Sequence, residues 1–149
     1  MKKYFIIALV SLVLLSGCGK EETKLKSGVY EGSVVDTYGG ENNTATAKVT
    51  IDENGKITDV YLDTTYTKDG VETTKKTLKE DYGMYNHPYG STVGEWYTQV
   101  EALEDAIVEN QGIDFLNVDE DGYTDAVSSC TIKIDALVKA YEDAIKKAK

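Results

Sequence analysis

Asp125-Ala126-Val127-Ser128-Ser129-Cys130-Thr131 gathers a carboxylate, three hydroxyls and a thiol into seven residues. It stands just ahead of Ile134, Leu137, Val138, Tyr141 and Ile145, whose spacing predicts the chain's last amphipathic helix. A tight turn opening onto a helix N-terminus offers free backbone N–H groups and the positive end of the helix dipole, so the chemistry expected there is anion binding, with phosphate the natural candidate. The plainer reading is a Ser/Thr-rich turn in which Ser128 or Thr131 only caps the helix. Cys130 is either buried and inert or exposed and reactive, and the frequency of small buried cysteines favours inert.

Two other stretches could bear on function. Thr73 to Gly90 is irregular and holds the only Pro, the only His, Met84, and Tyr82, Tyr85 and Tyr89. These side chains suit either a wall for a flat aromatic ligand or a cover for a sheet edge. His87, a lone imidazole, cannot make a typical transition-metal site by itself. Asn117, Asp119, Asp121 and Gly122 fall at the first, third, fifth and sixth positions of an EF-hand loop, but the twelfth is Ser128 and not the bidentate Glu, so an acidic turn is expected there.

The elements that must position these residues follow from patterning. Val29 to Asp36 reads as a strand, and Thr44 to Ile51 alternates with Ala45, Ala47, Val49 and Ile51 on one face. Asp52-Glu53-Asn54-Gly55 supplies a turn, and Lys56 to Asp63 returns as a third strand with Val60 and Leu62 on one side. Ile57 breaks that alternation, which predicts a bulge. A weaker hairpin is expected around Lys68-Asp69-Gly70. Thr92 and Glu95 have capping-box spacing ahead of a helix striped with Trp96, Val100, Leu103 and Ile107, with Trp96 expected in the core. Gln111-Gly112 ends that helix. Ile113, Phe115, Leu116 and Val118 lead back toward the polar cluster, and Tyr123 to Val127 is expected to join the sheet as a final strand. The fold class is therefore α+β, an antiparallel meander with helices packed on one side.

Composition limits the partners. The 149 residues carry 16 basic side chains, all Lys, against 26 acids, a net charge of −10 that argues against nucleic acid. A single phosphate on backbone amides is compatible with that charge. Lys2 and Lys3 precede an apolar run from Tyr4 to Leu15, the layout of a secretory signal and too short to span a bilayer comfortably. The run closes on Leu15-Ser16-Gly17-Cys18, which resembles the bacterial lipoprotein signal box, in which the cysteine is diacylated and becomes the mature N-terminus. The resemblance divides the chain into a signal peptide at 1–17, a lipidated Cys18 with a charged tether through 27, and one domain at 28–149. It implies attachment to the extracytoplasmic face of the cell membrane by a lipid anchor, where several acyl chains hold far better than one. With Cys18 acylated, Cys130 has no intramolecular disulfide partner.

Asp125, Ala126, Ser128 and Thr131 match the signature of the FMN-binding domain family, Asp-small-x-Ser/Thr-Gly-Ala-Thr/Ser before a helix, and the element order of residues 28–149 resembles that family too. Ser129 and Cys130 stand where the family usually has Gly and Ala. The resemblance implies that Thr131 carries FMN through a phosphoester bond installed by a separate FAD-dependent flavin transferase, with Asp125 orienting the turn or assisting that enzyme, and Ser128, Ser129 and Cys130 beside the cofactor. It implies an electron carrier, not a substrate-turnover enzyme, that passes electrons from a membrane oxidoreductase to an extracellular acceptor. The alternatives are a surface lipoprotein of the same fold without flavin, acting in binding or adhesion, and a reversible FMN binder.

Overall fold

The computed structural model describes residues 24–85 and 87–149; the signal segment, Cys18 and the first residues of the tether lie outside them. Four strands form one antiparallel sheet in sequential order: β1 (Gly28–Asp36), β2 (Asn43–Ile51), β3 (Ile57–Lys68) and β4 (Val71–Thr74). A short turn of helix, α1 (Lys75–Leu78), follows β4, and two longer helices complete the fold, α2 (Trp96–Asn110) and α3 (Asp135–Lys147). The class is α+β.

Local sequence accounts for the sheet. Asp52 Oδ1 accepts from the backbone N–H of Asn54 and of Lys56, each at 2.8 Å, and Gly55 takes φ +82°, which closes the β2–β3 turn. The register then slips: Thr50 faces Asp59 while Ile51 faces Ile57, so Thr58 is the extra residue of the bulge expected at Ile57. This bulge lets Ile57 join Val60 and Leu62 in the core. β3 runs on to Lys68 and returns through Asp69 (φ +52°) and Gly70 (φ +79°), the positive pair that a two-residue hairpin turn requires.

The helices cover the face bearing Ala45, Ala47, Val49 and Ile51 of β2 and Val60 and Leu62 of β3, all buried. α3 lies across β1 and β2, and α2 lies over β3. Gly32 permits the closest approach: a Cβ there would strike the Ala140 carbonyl and the Ala144 backbone nitrogen. Leu62, Leu103, Ile107, Leu116 and Ile134 are among the largest fully buried side chains. Each contributes about 1.5–3 kcal/mol by leaving water. The stripe on α2 faces inward as its spacing predicts, and Trp96 is 4% exposed.

Three expectations are corrected. Tyr123 to Val127 forms no strand. Its polar groups are taken locally: Asp119 Oδ1 accepts from Asp121 and Tyr123 N–H, Thr124 Oγ1 donates to the Leu116 carbonyl, and Ala126 N–H donates to Thr124 Oγ1. Thr92 and Glu95 form no capping box. α2 starts at Trp96 with no side-chain cap, because the Glu95 carboxylate accepts instead from the Met84 and Tyr85 N–H groups, both at 2.9 Å. Finally, α3 begins at Asp135, four residues beyond Thr131, so neither Ser128 nor Thr131 caps it.

Candidate functional site

A cleft of about 370 Å³ opens between α1, the segment after it, the N-terminus of α2 and the first turn of α3. This is within the size range of small-ligand sites, roughly 300–1,000 Å³. Its walls are aromatic. Tyr82, Met84 and Tyr89 come from the irregular stretch, and Tyr38 and Tyr123 from two other loops. Tyr82 packs edge-on against Tyr66 at 5.1 Å, and burial pushes its phenol up to about 12, so it stays neutral. Tyr89 is 95% exposed and Tyr38 60%, which makes them the rim. The irregular stretch thus lines a cleft through Tyr82, Met84 and Tyr89 and packs on β3 through the Tyr82–Tyr66 contact. Tyr85 lies outside the cleft, as does His87, whose Nδ1 accepts from Tyr89 N–H at 3.3 Å.

The first turn of α3 reaches the cleft through Asp135, Ala136 and Leu137. Ile134 N–H is used by the Gly122 carbonyl at 2.8 Å, and the Val138 N–H returns to Ile134. The intervening N–H groups of α3 have no side-chain cap, the arrangement in which a helix start attracts an anion. Lys75 adds a second attraction. The residue is 8% exposed, with Nζ 5.2 Å from the Trp96 ring centroid and 5.5 Å from that of Tyr82. Among the described residues no carboxylate lies within ion-pair distance of it. Burial lowers its affinity for a proton, while Asp36 and Asp63 act in the opposite direction. Lys133, with Nζ 5.9 Å from the Tyr38 ring centroid, also lines the cleft, and Asp36 and Asp135 are its acidic members.

Of the polar cluster from Asp125 to Thr131, Thr131 alone reaches this cleft. Ser128 and Ser129 sit exposed in the turn closed by Cys130 N–H to the Val127 carbonyl at 2.9 Å, and Asp125 is exposed just before it. Ser129 is not among the described non-glycine residues with positive φ, so Ser in place of Gly creates no backbone strain there. Cys130 points into the core at 2% exposure, and burial pushes its thiol up to about 11. The acidic stretch forms a turn in which Asn117 takes φ +46° and the Asp119 carboxylate is bound to backbone N–H groups.

Thr131 is held from below by residues that sequence reasoning missed. Gln99, 1% exposed on the inner face of α2, accepts through Oε1 from Thr131 N–H at 2.8 Å and from Thr131 Oγ1 at 3.2 Å. Its Nε2 donates to Ser91 Oγ at 2.9 Å and to the Gly94 carbonyl at 2.8 Å. The available signal was a Gln on the apolar stripe between Trp96 and Val100, a buried polar group that must be satisfied. A flat ligand bearing a phosphate fits what is present: aromatic walls, uncapped amides, a buried ammonium and an accessible hydroxyl. No protein-family model, curated protein or solved structure matches the chain.

Proposed function

We propose that the protein is a membrane-anchored flavoprotein, an extracytoplasmic electron carrier with FMN esterified to Thr131 by a flavin transferase and its lipid anchor on Cys18. One observation carries the reading. Thr131, an exposed residue carrying a hydroxyl, lines an aromatic cleft that also receives the uncapped start of α3. A phosphodiester at Thr131 would be met by those N–H groups, while Tyr82, Met84 and Trp96 would exclude water from a conjugated ring and Lys75 would offset negative charge on it. When bound, the isoalloxazine supplies one- or two-electron transfer. The donor is then a membrane oxidoreductase and the acceptor an extracellular reductant-consuming partner.

The test is direct. Protein purified from cells containing the transferase should be yellow, with an intact mass exceeding the chain by one FMN less water, and Thr131→Ala should abolish that increment. A colourless, unmodified product overturns the reading in favour of a lipoprotein without flavin. Flavin that leaves on dialysis identifies reversible binding. Retention of the increment in Thr131→Ala, with its loss in Ser128→Ala or Ser129→Ala, overturns the residue assignment.

A further inference from the structure

We infer that Gln99 and Ser91 form a positioning pair that selects Thr131, over the neighbouring hydroxyls of Ser128 and Ser129, as the acceptor of the flavin phosphate. The inference rests on the flavinylation reading above and deepens it.

The direction of every hydrogen bond in the cluster is fixed by elimination. The Gly94 carbonyl can only accept and Thr131 N–H can only donate, so the Gln99 amide must present Nε2 to Gly94 and Oε1 to Thr131. Both amide protons of Gln99 are then used, on Gly94 and on Ser91 Oγ. Ser91 Oγ accepts from Gln99 Nε2 and, at 3.0 Å, from Val93 N–H, which occupies both of its lone pairs. Its own proton is left for Thr131 Oγ1, 3.5 Å away. Thr131 Oγ1 therefore donates to Gln99 and faces the Ser91 proton, which leaves it one lone pair uncommitted among the described residues. The two contacts restrict the hydroxyl rotor. Gln99 is 1% exposed and Ser91 is 7% exposed, so the two hold Thr131 from inside the protein. Neither Ser128 nor Ser129 makes a side-chain hydrogen bond to another described residue, so both hydroxyls rotate freely.

The chemistry balances around this lone pair. The Thr131 O–H bond breaks and an Oγ1–P bond forms on the flavin-side phosphorus of FAD. The pyrophosphate P–O bond breaks and AMP leaves with the bridging oxygen. As the Oγ1–P bond forms, the O–H proton becomes strongly acidic, leaves Gln99 Oε1, which is too weak a base to keep it, and passes through solvent at the exposed face of Thr131 to a base on the transferase. Afterwards Gln99 still holds Thr131 N–H, and Ser91 can go on donating to the ester oxygen.

The experiment measures flavin transfer from FAD by purified transferase, with intact mass for rate and fragmentation for site. Gln99→Met should lower the maximal rate at least about tenfold, the scale of lost orientation. The concentration of carrier that half-saturates the transferase should stay unchanged, since Gln99 is buried and cannot touch that enzyme. Whatever label remains should spread onto Ser128 or Ser129. Ser91→Ala should slow transfer about threefold and Ser91→Thr should restore it. Wild-type rate and site in Gln99→Met overturn the inference, as does a loss that moves the half-saturating concentration and thermal stability together. If Gln99→Met does not fold, equal rates for Ser91→Ala and Ser91→Thr overturn it. Failure of the wild type itself to gain the mass is a separate outcome and overturns the function reading along with this one.

Discussion

At two places in the fold, neighbouring residues of similar kind part company. Lys75 and Lys76 share one turn of α1, and Cys130 and Thr131 share one bend. Lys76 turns to Glu104, with Nζ 2.6 and 2.7 Å from the two carboxylate oxygens and 4.1 Å from the Tyr61 ring centroid, while the same carboxylate accepts the Leu62 N–H on the open side of β3. The group is densely bonded, and it ties α1, α2 and β3 together. Lys75, one residue earlier, meets two aromatic faces and no carboxylate within ion-pair distance among the described residues. Cys130 likewise fills the core, and Thr131, an exposed residue, lines the cleft. In each pair, one member is committed to the fold, by an ion pair or by burial in the core, and the other lines the cleft.

The contrast can be broken most severely at Glu104. Glu104→Ala leaves a mostly buried ammonium and the Leu62 N–H without their partner, and should cost about 3–5 kcal/mol by urea denaturation. Lys75→Met should cost nothing measurable in the flavin-free protein; a loss comparable with Glu104→Ala would abolish the distinction between the two lysines. Cys130 sharpens the second pair. With its thiol at about 11 against an ordinary 9.0, alkylation of the native protein near neutral pH should run about a hundredfold slower than of the unfolded chain from ionisation alone. A native rate equal to the unfolded rate would place Cys130 on the surface. The pH dependence of Lys75 is a smaller effect. Its folded value is depressed, so between that value and the ordinary 10.5 the unfolded chain binds more protons, and stability due to this lysine rises with pH. Lys75→Met should flatten that rise in thermal melts across the alkaline range. Thr131→Ser, which keeps the hydroxyl over Gln99, should shift stability by less than about 0.5 kcal/mol and still accept flavin.

The sheet was legible because its signals are local. Strict alternation marked β2, a misplaced Ile57 marked the bulge, and Asp69-Gly70 marked the hairpin. The α2 and α3 stripes were legible for the same reason. What escaped depends on partners distant in sequence. Glu95 has the spacing of a helix cap, yet it serves Met84 and Tyr85, and no spacing rule announces that. Tyr123 to Val127 has strand-like composition, but Asp119 and Thr124 collect its backbone groups, and α3 already occupies the outer side of β1, where Asp143 accepts from Ser33 N–H at 3.2 Å. At the site, Thr131 was legible by its family-like motif. Gln99, Ser91 and Lys75 were not, because a buried polar residue shows in sequence only as an interruption, and its partner stands 32 residues away in the case of Gln99 and Thr131.

The backbone N–H of Lys26 donates to the Ala148 carbonyl at 2.8 Å, which pins the start of the described chain to the C-terminal end of α3. The cleft is at the other end of that helix, and 13 residues of α-helix span about 20 Å. An anchor at Cys18 would be joined to Lys24 by six residue steps, a leash of at most about 20 Å. If Cys18 carries lipid, the cleft would stay within a few tens of ångströms of the bilayer, with the pinned end of α3 the nearer to the anchor. Under the proposed function, a flavin in the cleft would be open to a soluble acceptor, while a donor embedded in the membrane would have to reach past the length of α3.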